Sequence, residues 1–249
     1  MFRIFALLLT LFSFNCFASV ARIAIVGAMD VEIEGILPKL TNVKHETIGN
    51  HIFYIGELNK KPVIVTKSGV GKVNAALTTT LLASKFNVTS IIFTGIAGAC
   101  SPDLEPMDVV ISTALVQHDV DLTAFGNPIG LLDGYENREF LPSESLVNQA
   151  LKAAHSVLGE DKVTTGTIVS GDQFIADKKK VAFLYQEFQA KAVEMEGAAL
   201  AQVADQFNIP YVVIRTISDK ADGSASLTYD EMKNTTAHNS ISILLEMFK

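Results

Sequence analysis

The residues best able to do chemistry in this chain are carboxylates at the ends of apolar runs. Glu194 and Glu196 flank Met195, where an apolar stretch beginning at Val193 enters an alanine-rich one. Glutamate is rarely buried without a partner. The pair suits a helix start, where acids favour the positive end of the dipole, and equally a pocket wall that accepts ligand hydroxyls. Glu32 follows the glycine turn Gly27-Ala28-Met29, and Asp219 closes an apolar run that carries Arg215 and Ser218. Ser170-Gly171-Asp172-Gln173-Phe174 adds an aromatic ring. Such a set offers acceptors for sugar hydroxyls, a ring to stack a base and carboxyls to move protons, which fits a planar, uncharged, polyhydroxylated ligand. No His or Cys cluster has metal-ligand spacing. The first glycine turn lacks both the Walker spacing and the dinucleotide fingerprint, and acids stand where phosphate would lie.

These groups need strands to aim them. Arg22 to Gly27 and Ser90 to Gly95 are nearly continuous apolar runs, the pattern of strands buried on both faces. His51 to Leu58 and Pro62 to Lys67 predict a hairpin around Asn59-Lys60-Lys61, and Val109 to Val116, Val163 to Val169, Ala192 and Tyr211 to Asp219 are further strands. Helical periodicity covers Asp30 to Leu37, Lys72 to Phe86, Leu146 to Leu158, Lys179 to Phe188, the stretch to Phe207, and Tyr229 to Phe248. Asp119 to Gly134 has no steady period and predicts a long loop. Strands alternating with helices give an α/β fold, a three-layer αβα single domain over 19–249 with a mixed, mostly parallel central sheet. Ligands bind such sheets beyond the carboxyl ends of strands, where these carboxylates stand.

With 249 residues and 49% hydrophobic content, one ordinary core is expected. A net charge of −7 excludes a phosphate-backbone partner, since nucleic-acid binding needs clustered Lys and Arg. Residues 1–18 have the form of a signal peptide: Arg3, an apolar core from Ile4 to Phe14, and Cys16-Phe17-Ala18 before the expected cleavage. Eleven apolar residues are too few for a membrane span, so export, to the periplasm, is expected without a stable membrane anchor. Cys100 is then left alone, without an internal disulfide, and is expected to act as a small buried hydrophobe.

The motifs together resemble the 5′-methylthioadenosine/S-adenosylhomocysteine nucleosidases of the nucleoside phosphorylase superfamily. The resemblance runs in order through Gly27-Ala28-Met29 with Glu32, Lys67 to Val73, Thr94 to Gly98, His118 to Gly126, Val169 to Ile175, Val193 to Glu196, and Ile217 to Asp222. It implies hydrolysis of an N-glycosidic bond with adenine release, no cofactor and no metal. Glu32 is implied as the base that activates water and Asp219 as the acid that protonates the purine, with Arg215 and Ser218 in support. Glu196 would hold the ribose hydroxyls beside Met195 and Val193, Phe174 would stack the adenine, and Ile175 would offer its backbone to the base edge. Phe125, with Met29 and Tyr229, would cover the 5′ substituent, Phe125 acting on the neighbouring subunit of a homodimer.

Ile96 departs from the pattern, which usually has serine near the sugar and the attacking water. Asn127 and Asp133 are polar where the 5′ pocket is usually apolar, which leaves the preference between methylthio and homocysteinyl substrates open. Phosphorolysis is the nearest rival, and an exported nucleoside-binding protein without turnover is a rival of another class. Glu32, Phe93 and Ile96 stand in the turns where the related phosphorylases are expected to carry the arginines and serine that hold phosphate, and Glu32 together with Asp219 favours an enzyme. From position alone, the helix dipole is expected to keep Glu32 ionised, and desolvation to favour protonated Asp219.

Overall fold

The computed structural model describes residues 20–223 and 225–249, so the leader expected over 1–18 lies outside the described residues. In chain order the elements are β1 Arg22–Gly27, α1 Asp30–Ile33, β2 Thr41–Ile48, β3 His51–Leu58, β4 Lys61–Lys67, α2 Lys72–Phe86, β5 Val88–Ala99, β6 Val109–Gln117, α3 Glu144–Leu158, β7 Val163–Ser170, α4 Lys178–Phe188, β8 Ala190–Glu194, α5 Gly197–Gln206, β9 Tyr211–Asp219 and α6 Ala225–Met247. One mixed sheet joins the strands in the order β2-β3-β4-β1-β5-β8-β7-β6-β9. A further pairing of β5 with β9 closes the last five strands into a ring.

The apolar runs occupy the centre because they have neighbours on both sides: β1 lies parallel between β4 and β5, and β5 lies parallel to β9. Alternate side chains serve opposite layers, as the period-two geometry of a strand requires. Val26, Phe93 and Val213 pack with Leu82 and Phe86 of α2 and Leu200 and Ala204 of α5. Ile25, Ile92 and Ile214 pack on the other face with Ile33 of α1, Ala150 of α3 and Ile243 of α6. Helix α4 covers the ring side, with Leu184 and Phe188 against Val116 and Val169. Each such buried aliphatic or aromatic side chain contributes about 1.5–3 kcal/mol relative to exposure.

Several local expectations are corrected. Strand β2 falls in a stretch assigned no element, because Thr41–Ile48 is polar and exposed almost throughout and carries no alternation to read. The first helix is a single turn, after which the chain tightens into a 3-10 turn at Leu37–Lys39. The strand expected over Ser90 to Gly95 does not stop there: β5 runs on to Ala99 because β9 pairs along it and β8 joins at Gly98. The 119–134 segment is a loop as expected, with a 3-10 turn at Thr123–Phe125. Arg138 anchors its far end, donating to the carbonyl of Ile129 and to Glu187.

Candidate active site

The carboxyl ends of β1, β5, β8 and β9 converge on one cavity lined by Met29, Glu32, Ile96, Phe174, Val193, Glu194, Met195, Glu196, Ser218, Asp219 and Tyr229, together with Ala28, Val70, Ala97 and Gly98. A smaller recess beside it adds Gln173 and Ile175. Every predicted site residue except Phe125 and Arg215 therefore borders one of two adjoining spaces. Arg215 lies just behind the wall, and Phe125 is 83% exposed on its loop, away from this cavity.

Glu32 is buried, and backbone N–H groups hold both its carboxylate oxygens. Ala28 and Met29 donate to Oε2 at 2.6 and 2.9 Å, and Ile96 donates to Oε1 at 3.1 Å. The tight turn at Gly27-Ala28-Met29 provides the first two donors, and β5 provides the third. Gly95 has to be glycine, because a Cβ there would stand 2.5 Å from Glu32 Oε1 and 2.9 Å from Arg215 Nη1. Burial pushes the Glu32 pKa up, against the pull of Arg215 and the three N–H donors. The expectation that a helix dipole keeps it ionised is corrected, since α1 is four residues long and has too few aligned peptides to supply that field.

Asp219 is also buried. Ser218 Oγ donates to its Oδ2 at 2.7 Å, and the N–H of Ala221 donates to Oδ1 at 2.7 Å. Burial raises its pKa too, and the nearby negative Asp222 adds to the rise, while the two donors oppose it. Both carboxyls are thus better proton acceptors than in water, and their neighbours separate them. Glu32 has a guanidinium beside it, and Asp219 has another acid. Arg215 thus biases Glu32 toward its ionised form, and Asp222 biases Asp219 toward its protonated form.

The helix-cap and pocket roles weighed for the Glu194/Glu196 pair divide between the two residues. Glu194 caps α5: it accepts from the N–H of Gly197 and of Glu196, receives the Ser170 hydroxyl, and binds Arg215 Nη2 at 2.6 Å. Glu196 turns the other way and accepts the N–H of Gly71 at 2.8 Å, leaving its second oxygen 3.9 Å from Arg215 Nη2. Burial, and then repulsion from Glu194, raise the Glu196 pKa despite Arg215. Arg215 lies over the Phe93 ring at 4.2 Å and is the guanidinium shared by three buried glutamates. It therefore acts through Glu32, Glu194 and Glu196 and does not itself line the cavity.

At the rim, Phe174 is 51% exposed and meets the Tyr229 ring edge-on at 5.7 Å. Tyr229 donates to Met29 Sδ at 3.1 Å. Val193 is fixed by its register opposite Gly98 on β5 and Val169 on β7. Cys100 is buried, and its thiol is pushed up to about 12 by burial and the charge of Asp219, in keeping with an inert hydrophobe.

Sequence reasoning missed the structural weight of Ser170, whose Oγ receives the Ala198 N–H and donates to Glu194. It also missed Val70 and the backbone donors of Ala28, Ile96 and Gly71. A hydroxyl at the end of a buried strand was the available signal for Ser170. Backbone donors carry no residue-type signal at all.

Residues 22–249 match the sequence model described as the Phosphorylase superfamily. A 5′-methylthioadenosine/S-adenosylhomocysteine nucleosidase of Shewanella denitrificans is 40% identical over 227 residues, 91% of this chain and 98% of that protein. An aminodeoxyfutalosine nucleosidase of Helicobacter pylori is 40% identical over 91% of this chain and 97% of its own length. The crystal structure of the Neisseria meningitidis 5′-methylthioadenosine/S-adenosylhomocysteine nucleosidase in complex with methylthio-immucillin-A superposes with a TM-score of 0.87 at 40% identity, covering 91% of this chain and 97% of that one.

Proposed function

The chain belongs to the phosphorylase superfamily and to its 5′-methylthioadenosine/S-adenosylhomocysteine nucleosidases, and on that premise we propose that it hydrolyses the N-glycosidic bond of 5′-methylthioadenosine, S-adenosylhomocysteine or a related 5′-substituted adenine nucleoside. Adenine and the corresponding free sugar are the products. One observation carries hydrolysis over phosphorolysis: among the described residues that line the cavity, none is cationic and four are acidic. A phosphate dianion would enter against Glu32, Glu194, Glu196 and Asp219, whereas neutral water is not repelled.

Cleavage of a purine–ribose bond builds positive charge on the sugar and negative charge on the base. Protonated Asp219 gives its proton to the departing purine, with Ser218 fixing the carboxyl's orientation. Ionised Glu32 takes a proton from water as the oxygen attacks the sugar carbon, and its raised pKa makes it the stronger base. Glu196 accepts the ribose hydroxyls beside Met195, Phe174 stacks the base at the rim, and Ile175 meets the base edge in the adjoining recess. The same cavity would serve a binding protein without turnover, but that reading leaves Glu32 and Asp219 without a task.

A homodimer in which Phe125 of one copy closes the other's cavity is supported by the exposed apolar Val70 in the cavity lining and by the exposed Val73 and Leu77 on α2, the helix that follows it. Export is supported by the composition of 1–18 and by a family match that begins only at residue 22. The test is adenine release from a panel of 5′-substituted nucleosides, with and without phosphate. Release independent of phosphate is expected, and a rate proportional to phosphate overturns hydrolysis. Fractionation of the native cell tests export: full-length chain retained in the cytoplasm overturns it.

A further inference from the structure

Beyond the cavity wall lies a charge cluster with no part in the chemistry just described. Lys72 opens α2, and its ammonium is half-buried, 2.6 Å from Asp119 Oδ1 and 3.1 Å from Gln117 Oε1. The other oxygen of Asp119 accepts the N–H of Asp172 at 3.0 Å, and Asp172 in turn accepts the backbone N–H of Lys72 at 2.8 Å. Gln117 is itself held by Gln202 of α5 at 2.6 Å. Burial pushes the Asp119 pKa up, but Lys72 and the Asp172 N–H outweigh it and bring it below the ordinary range, so the pair stays charged.

Each anchored segment leads directly into the cavity. Lys72 follows Gly71, which has a φ of +98° and donates its N–H to Glu196. Asp172 stands two residues before Phe174. Asp119 begins the loop that carries Phe125. A side chain at Gly71 would strain the backbone and approach Asp172 Oδ1 at 3.0 Å, so this corner is already closely fitted.

We infer that the Lys72–Asp119 ion pair is a positioning device that holds the ribose carboxylate Glu196 and the Phe174 loop in their substrate-binding arrangement and joins both to the Phe125 loop. The inference rests on the nucleosidase reading and assigns the pair to binding, because neither residue touches Glu32 or Asp219. Its loss should loosen the sugar and base subsites while the proton-transfer machinery stays intact.

The test is a double-mutant cycle of Lys72→Met, Asp119→Asn and the pair, with steady-state adenine release, calorimetric binding of adenine and thermal melting measured on each protein. The expected result is a KM raised about tenfold in either single variant, with the double variant no worse, as coupled partners show. Turnover should stay within about twofold of wild type, since the barrier-lowering groups are untouched. Adenine affinity should fall in the same variants, and Lys72→Arg, which keeps the charge, should restore most of it. Unchanged KM and adenine affinity, with or without a lowered melting point, would show a structural pair only. Effects that add in the double variant would overturn the coupling. If Lys72→Met does not fold, Lys72→Gln takes its place in the cycle. A wild-type protein that releases no adenine refutes the functional reading, and adenine binding across the cycle still decides the clamp.

Discussion

The floor and the rim of the cavity are built on opposite principles. On the floor, Glu32, Glu194, Arg215 and Asp219 are almost completely excluded from solvent and carry several hydrogen bonds or ion pairs each. At the rim, Phe174 and Tyr229 touch by one ring edge, and Phe174 is half exposed. A buried charge without a partner costs several kcal/mol, so each charge of the floor is paired, although Arg215 Nε has no hydrogen-bond partner of its own, and that pairing holds the floor in place. The rim has no such debt and can adapt to different 5′ groups. Chemistry belongs to the fixed part and selectivity to the loose part.

The comparison is tested most severely on the floor. Asp219→Asn should lower turnover of an adenine nucleoside about a thousandfold, the scale of a lost general acid. The same variant should keep far more activity on a nitrophenyl riboside, whose leaving group needs no proton. Glu32→Gln should disable both substrates, since each needs the activated water. Equal losses for Asp219→Asn on the two substrates, in folded protein, would remove Asp219 as the acid.

Glu196 shows what the floor costs in stability. Its pKa is raised in the folded state, so the protein binds that proton more tightly folded than unfolded. The resulting stability is full below the ordinary glutamate range and is lost as pH rises through the raised value. Glu196→Gln keeps an acceptor for the Gly71 N–H and removes the buried charge. At pH 8 it should melt higher than wild type, a difference that shrinks on acidification, while KM for the nucleoside rises about tenfold through the lost charged contact to the ribose. A melting difference independent of pH would sink this account.

The floor was also the part most legible in the sequence. Acids at the ends of continuous apolar runs stand out there, even though a helix start explained the Glu194/Glu196 pair equally well, and β9 and α2 were read with their bounds unchanged. What could not be read followed from partners distant in sequence. The closure of β5 onto β9 turns Gly95 to Ala99 into strand, and no local signal announces it. Strand β2 is a polar edge held only by β3. The surroundings of Glu32 were misread because the start of a helix is visible in sequence, whereas the burial that raises its pKa, and the guanidinium of Arg215 and the N–H of Ile96 that oppose the rise, are not.

A rim change should act on affinity alone. Phe174→Leu keeps an apolar surface and removes the stacking face, worth about 0.5–1.5 kcal/mol, so KM should rise a few-fold with turnover nearly unchanged. Because Phe174 is half exposed, melting should not move. A fall in turnover comparable to that in KM would mean that the rim takes part in the chemistry and that the division between the two regions is wrong.

The smallest change in polar contacts lies at Ile96, on the border between the two regions. Its N–H holds Glu32 Oε1 at 3.1 Å, a contact that any residue with the same backbone would keep. Its side chain is buried and lines the cavity beside Glu32 and Ser218, where the resemblance implies a serine hydroxyl. Ile96→Ser therefore exchanges apolar packing for a hydroxyl that faces the reacting water. Removing most of an isoleucine should destabilise the fold by about 2–4 kcal/mol, since the β5 backbone is pinned on both sides and cannot collapse into the space. The new hydroxyl adds one net hydrogen bond, about 1 kcal/mol, and it adds to catalysis only if that bond is stronger in the transition state than in the ground state. Turnover should then rise about fivefold in a protein that melts lower, with Glu32 still in place. Unchanged or reduced turnover in folded protein would mean that the three backbone donors already fix Glu32 and its water so well that a fourth polar contact has nothing left to improve.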